Sequence, residues 1–159
     1  MARFNGRLTA GCLALALLLS GTSAGWAQGE KSDSKVKITA KANKPNADGK
    51  QTVTITLEIE KGWHTYANPP GPADFAGIPT KVTISAEKEP KKVTITYPKG
   101  TLVKDAKQGD YRVYEGKVTI KATVQRAKGD TSDLKVKVKI QACNENSCLF
   151  PATVTVPVK

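Results

Sequence analysis

Leu134-Lys135-Val136-Lys137-Val138-Lys139-Ile140-Gln141-Ala142 reads with a period of two. Every even position is apolar and every odd position is lysine or glutamine. Successive side chains of a strand point to opposite faces, so this stretch predicts a strand with one face in a core and the other in water. The same pattern recurs on either side. Ala152, Val154, Val156 and Val158 follow it, and Val118-Ile120-Ala122-Val124 precedes it. Further upstream come Val36-Ile38-Ala40, Val53-Ile55-Leu57-Ile59, Val82-Ile84 and Val93-Ile95-Tyr97, with Trp63 to Tyr66 as a short extra strand. Residues 45–49, Pro98-Lys99-Gly100 and Lys128-Gly129-Asp130 supply turn chemistry between the runs. Roughly seven to nine half-buried strands with no helical periodicity predict an all-β chain, an immunoglobulin-like antiparallel β-sandwich. The spacing is irregular, which excludes a solenoid.

The outward positions carry most of the charge. The formal net charge is +11. Four segments, Gln51 to Ile55, Lys81 to Ile84, Lys92 to Ile95 and Lys117 to Ile120, alternate Val and Ile with Thr, and three of them open on Lys. Lysine spread along strands is a solvated face that also discourages edge-to-edge pairing. A polyanion or membrane-surface binder would gather it into a patch. No nucleic-acid partner is expected.

The first residues predict export. Arg3 and Arg7 precede an apolar run from Leu8 to Leu19, and small residues follow at Thr22-Ser23-Ala24 and Gly25-Trp26-Ala27. That is the layout of a secretory signal peptide over residues 1–27. The run is about a dozen residues, short of the roughly 20 a spanning helix needs. Cys12 precedes the apolar core, so a lipoprotein-type cleavage there is rejected. Residues 28–34 read as a flexible polar leader and 35–159 as one domain. About 130 residues remain after removal, enough for a single core. The expected product is a monomer, periplasmic or otherwise exported, and soluble after cleavage. Losing Arg3 and Arg7 takes two from the charge and leaves +9.

Of three cysteines, Cys143 and Cys148 then remain. An even count in an exported chain predicts a disulfide. Asn144-Glu145-Asn146-Ser147 between them is a polar turn. Facing residues across it would have Cα atoms about 4.5 to 5.5 Å apart, inside the roughly 4.4 to 6.8 Å a disulfide tolerates. Pairing 143 with 148 would put Val138 opposite Thr153, so a bulge or break is expected between Gln141 and Ala152, with Pro151 a natural place. Closing so short a loop removes unfolded-state entropy of only about 2 kcal/mol. A bond at an exposed tip is also open to a partner thiol. Composition alone leaves the structural and the reactive readings open. The turn has no Lys or Arg, and Glu145 opposes a thiolate, so activation by a docked partner is expected.

Specific residues favour the reactive reading. Gln141-Ala142-Cys143, Cys148-Leu149-Phe150-Pro151-Ala152-Thr153 and Thr155-Val156-Pro157-Val158 together resemble the C-terminal hairpin of the N-terminal periplasmic domain of the thiol:disulfide interchange protein DsbD. Residues 59–66 (IEKGWHTY) resemble its aromatic strand. Tyr97-Pro98-Lys99-Gly100 and Val113-Tyr114-Glu115-Gly116-Lys117-Val118 fit its middle. The likeness runs from about residue 36 to residue 158. It implies an immunoglobulin-like fold and a relay of reducing equivalents from a transmembrane donor to thioredoxin-like periplasmic proteins, among them disulfide isomerases and cytochrome c maturation thioredoxins. It implies that Cys148 forms the mixed disulfides and Cys143 resolves them, and that Tyr66 lines the site. The chain departs from the family pattern in three ways. Four residues separate the cysteines where a well-known member of the family has five. The region matching the family's cap loop, residues 104–112 (KDAKQGDYR), has Tyr111 where a phenylalanine shields the cysteines. The chain carries neither the transmembrane nor the thioredoxin-like domain, so the donor is expected to be a separate protein.

His64, the single histidine, reads as a proton carrier near the cysteines or as a strand residue packed at a loop boundary. Phe150 joins His64, Tyr66 and Tyr111 as a site-lining residue. Trp63 reads as a packing aromatic. A metal site from Cys143, Cys148 and His64 would lack a fourth soft ligand, and no cofactor is expected. No catalytic triad, phosphate loop or carboxylate pair stands out. The alternative to a thiol–disulfide exchange module is a non-catalytic sandwich that binds partners and carries a structural disulfide.

Overall fold

The computed structural model describes residues 29–72, 78–107 and 109–158. The predicted signal peptide lies outside them. Among the described residues, eleven strands follow one short 3-10 turn at Ser32–Ser34. They are β1 (Val36–Ala42), β2 (Lys50–Ile59), β3 (His64–Tyr66), β4 (Lys81–Ala86), β5 (Lys92–Thr96) and β6 (Thr101–Val103). After these come β7 (Tyr111–Tyr114), β8 (Lys117–Gln125), β9 (Leu134–Ile140), β10 (Ala142–Cys143) and β11 (Ala152–Pro157). Among the described residues no helix is long and apolar enough to cross a membrane.

Every named strand pair is antiparallel. One sheet runs β1-β2-β8-β5, a second β11-β9-β4, and a third β10-β3-β7-β6. The even residues of β9 and the odd residues of β2 are buried, as their alternation predicts. They meet Val118, Ile120, Ala122 and Val124 of β8 in one core. Ile55, Leu57, Ile120, Val136, Val138 and Ile140 are wholly withdrawn from water. Each such side chain stabilises the fold by roughly 1.5–3 kcal/mol. The sheets therefore close as the two layers of an immunoglobulin-like β-sandwich. The lysines of β4, β8 and β9 all face outward.

Two findings depart from the sequence reading. First, the strand count exceeds seven to nine because β6, β7 and β10 are short and carry no clear alternation. With β3 they form the small third sheet, which carries Cys143 on β10. Second, the segment read as a flexible leader is docked. Ser32 is fully buried, and the amide of Ser32 donates to the carbonyl of Phe150 at 2.9 Å. Backbone groups of the cysteine hairpin give this polar stretch its partners.

The predicted irregularity is present. Ala152 stands opposite Ile140, whereas Cys148 stands opposite Cys143. The chain takes three steps from Ile140 to Cys143 and four from Cys148 to Ala152. The extra residue falls on the arm that holds Pro151. Val138 thereby stays opposite Val154, with both facing the core.

Candidate functional site

Cys143 and Cys148 are joined by a disulfide, S–S 2.00 Å. Their Cα atoms are 4.0 Å apart, closer than the spacing expected for facing strand residues. The turn between them draws the arms together. The Asn144 amide donates to the Ser147 carbonyl at 2.9 Å, and the Asn144 side-chain oxygen accepts from the amides of Asn146 and Ser147. Asn144 so positioned is an Asx turn, which fixes the loop without help from a neighbour.

The two sulfur-bearing residues sit in different surroundings. Cys143 is 1% exposed, whereas Cys148 is exposed. Ala142 ends the inward-facing, even-numbered series of β9 and β10, and Cys143, one residue further on, is buried as well. Cys148 stands on the outer arm, after the polar turn.

The third sheet brings aromatic side chains to the buried cysteine. Cys143 pairs with His64 of β3, and Ala142 with Thr65. The Tyr66 hydroxyl lies 3.9 Å from Cys143 Sγ, a long contact to sulfur in which the hydroxyl is the donor while the disulfide is intact. Tyr66 in turn meets His64 edge-on, ring centroids 6.0 Å apart, and Tyr111 edge-on at 5.9 Å. Residues 104–107 and 109–110 lie between the paired strands β6 and β7. Tyr111 opens β7, and Lys104 and Asp110 form an ion pair of 2.8 Å. The residues predicted to line the site thus form one row, Tyr111–Tyr66–Cys143, with His64 beside it. Phe150 lies on the far arm of the hairpin, 62% exposed. Trp63 packs against the core, and the Lys35 ammonium sits over its ring at 5.6 Å.

Burial pushes the Tyr66 hydroxyl above its ordinary pKa, and Tyr111 adds to this, so Tyr66 stays protonated and able to donate. Burial pushes His64 below its ordinary value, and Glu115 opposes this in part. His64 is therefore neutral at pH 7.

Sequence reasoning missed Ser32. Its hydroxyl donates to the Phe150 carbonyl at 2.8 Å and accepts from the Ala142 amide at 2.8 Å. A lone serine in a polar stretch carries no periodic signal, so nothing in the pattern marked it.

A disulfide-bonded cysteine pair on a β-sandwich hairpin is the geometry the sequence resemblance implied. The sequence profile of a family described as thiol:disulfide interchange protein DsbD, N-terminal, matches residues 33–159. The chain belongs to the DsbD N-terminal family. No curated protein matches it in sequence. Among solved structures it is similar to the N-terminal periplasmic domain of ScsB from Proteus mirabilis, with a TM-score of 0.57 and 18% identity. That match covers 77% of this chain and 46% of the ScsB chain, so this chain spans under half of that relative. The DsbD N-terminal domain of Neisseria meningitidis in its reduced form matches at TM-score 0.48 and 15% identity, over 80% of this chain and 86% of that one. The complex of the DsbD and PilB N-terminal domains from the same organism matches at TM-score 0.47 and 15% identity, over 76% and 80%. DsbD N-terminal domains take their family name from thiol–disulfide interchange, and this chain holds the cysteine pair that such chemistry requires.

Proposed function

We propose that this domain is a periplasmic thiol–disulfide exchange module that relays reducing equivalents through Cys143 and Cys148 to thioredoxin-like partners. The observation that carries the reading is the asymmetry of the pair: Cys148 is exposed and Cys143 is buried. A structural staple would be expected to have both sulfurs buried. Here one sulfur is open to an incoming thiolate and the other is placed to leave.

The exchange balances as two successive displacements. A donor thiolate attacks Cys148 Sγ, the Cys143–Cys148 bond breaks, and Cys143 leaves as a thiolate that takes up a proton. The donor's second thiol then attacks its own sulfur in the mixed disulfide and releases Cys148. The donor is oxidised by two electrons and the pair is reduced by two. In the forward half, the Cys148 thiolate attacks the acceptor's disulfide. Cys143 then attacks Cys148 Sγ, which re-forms the bond and releases the acceptor as a dithiol. Tyr66 supports this cycle because its protonated hydroxyl faces the sulfur on which negative charge develops. Tyr111, edge-on to Tyr66 at 5.9 Å, is the proposed cover residue. A separate transmembrane protein is the proposed donor, and periplasmic isomerases or cytochrome c maturation thioredoxins are the proposed acceptors.

The test is mixed-disulfide trapping. Cys143→Ser, mixed with a thioredoxin-like protein in its oxidised form, is expected to accumulate a covalent complex through Cys148. Cys148→Ser is expected to form at most a small fraction of that amount. Equal trapping by both variants, or by neither, would contradict the assignment.

A further inference from the structure

The register break beside the cysteines leaves backbone groups without rungs. The Ala142 carbonyl accepts from the Leu149 amide at 2.9 Å, which continues the pairing of Cys143 with Cys148 by one step. The β9–β11 ladder resumes only at Ile140 and Ala152. Between these points the Ala142 amide and both backbone groups of Phe150 have no partner across the hairpin. Buried backbone groups left in this state cost free energy comparable to a lost hydrogen bond. The preceding segment supplies all three partners. The Phe150 amide donates to the Glu30 carbonyl at 3.2 Å, and the Phe150 carbonyl accepts from both the Ser32 amide and the Ser32 hydroxyl. The same hydroxyl accepts from the Ala142 amide. One buried Oγ thus connects the arm carrying Cys143 to the arm carrying Cys148.

The segment that presents Ser32 is itself anchored. The Lys35 ammonium lies between Glu30 at 3.4 Å and Glu60 at 3.5 Å, and the Ser34 hydroxyl donates to Glu30 at 2.8 Å. Gly29 lies so close to the Phe150 ring that a Cβ there would overlap it.

We infer that Ser32 is a positioning residue that stands in for the missing rung, holds the two arms of the cysteine hairpin at one spacing, and thereby sets the equilibrium between dithiol and disulfide. The inference deepens the exchange reading and rests on it for its biological use. Its physical content concerns the pair alone. Oxidation by glutathione converts the dithiol and one oxidised glutathione into the disulfide and two reduced glutathiones. Its constant measures how well the protein pre-arranges the two thiols. In the dithiol no covalent bond joins the arms across the turn, and Ser32 adds to the Asx turn and the Leu149–Ala142 backbone bond the one side-chain tie between the two arms beside the register break. Without it the dithiol gains freedom that the disulfide cannot share, and the balance moves toward the dithiol.

The test is the glutathione equilibrium constant of the full chain, as wild type, Ser32→Ala and Ile55→Val. Ser32→Ala is expected to lower the constant for disulfide formation roughly three- to tenfold, and tenfold corresponds to about 30 mV for this two-electron couple. Ile55→Val weakens the core on β2, opposite Ala40 of β1 and Ile120 of β8, with no bond to the hairpin strands, and is expected to leave the constant unchanged. An unchanged constant in Ser32→Ala, or an equal shift in Ile55→Val, overturns the inference. If Ser32→Ala does not fold, hydrogen exchange on the wild type decides. The Ala142 amide is expected to be protected in both the oxidised and the reduced protein, and exchange at turn-like rates in the reduced protein overturns the inference. Failure of the exchange reading looks different: the wild type would then trap no thioredoxin-like partner, whatever the glutathione constants are.

Discussion

At the scale of single residues, the Tyr66 hydroxyl lies 3.9 Å from the buried sulfur of the pair, Cys143 Sγ. It is held there by the place of Tyr66 on β3, one step along the strand from the residue that pairs with Ala142. A hydrogen bond to a charged sulfur contributes more than one to a neutral group. Tyr66→Phe is therefore expected to slow reduction of the disulfide by dithiothreitol roughly three- to tenfold and to raise the apparent pKa of the Cys143 thiol. Its thermal midpoint should stay close to wild type, since the ring and its contacts remain. A reduction rate and thiol pKa equal to wild type would remove Tyr66 from the mechanism. His64 contributes no positive charge at neutral pH, because burial holds its pKa down. In the proposed exchange the leaving thiolate would therefore depend on Tyr66 and on the docked partner.

At the scale of elements, the end of the sandwich away from the cysteines is tied by a buried arginine. Arg126, 3% exposed, follows β8; its guanidinium donates to Gln51 of β2 at 2.9 Å and also to Ser132. It pairs with Asp130 at 3.4 Å. The Ser132 amide and hydroxyl, and then Arg126, hold the Asp130 carboxyl at about 2, below its ordinary 3.8. A carboxyl depressed in the folded state stabilises the fold above its ordinary pKa, and that contribution is lost as pH falls through the folded value. Wild type should therefore exceed Asp130→Asn in urea midpoint at neutral pH, and the gap should close between about pH 4 and about pH 2. A gap that does not narrow over that window would contradict the assignment of Asp130.

The long strands were legible because alternation over six or more residues can satisfy only one face of a sheet. Val53 to Ile59 and Leu134 to Ile140 are buried at the residues the pattern named. The register break was legible too, from a conflict between the cysteine pairing and the inward set. β6, β7 and β10 were not, since two to four residues carry no measurable period. The docking of residues 30–34 was invisible for a different reason: it depends on backbone groups freed by the break, and Ser32 acts through one hydroxyl. At the site, the cysteines were legible from count and compartment. Tyr66 and Tyr111 came from family resemblance, and the contact that joins them is a property of the fold.

At the scale of the whole molecule, the sandwich separates its tasks. One core, with Ile55, Leu57, Ile120 and Ile140 wholly buried, holds β9 in place. β9 runs from the Arg126 cluster at one end to the cysteine hairpin at the other. The hairpin is positioned by the third sheet, by the Asx turn and by Ser32, so its geometry does not rely on the disulfide alone. This arrangement would suit the proposed exchange, in which the pair cycles between two states without unfolding. The outward lysines keep the sheet faces solvated and leave the hairpin end as the place where Cys148 and Phe150 are presented.

The most direct test of the central claim is the equilibrium reduction potential of the Cys143–Cys148 pair, titrated with glutathione or dithiothreitol on the folded protein. A working relay predicts a value in the range of thioredoxins and disulfide isomerases, roughly −270 to −180 mV. A value below about −300 mV would place the bond among structural disulfides and contradict the account.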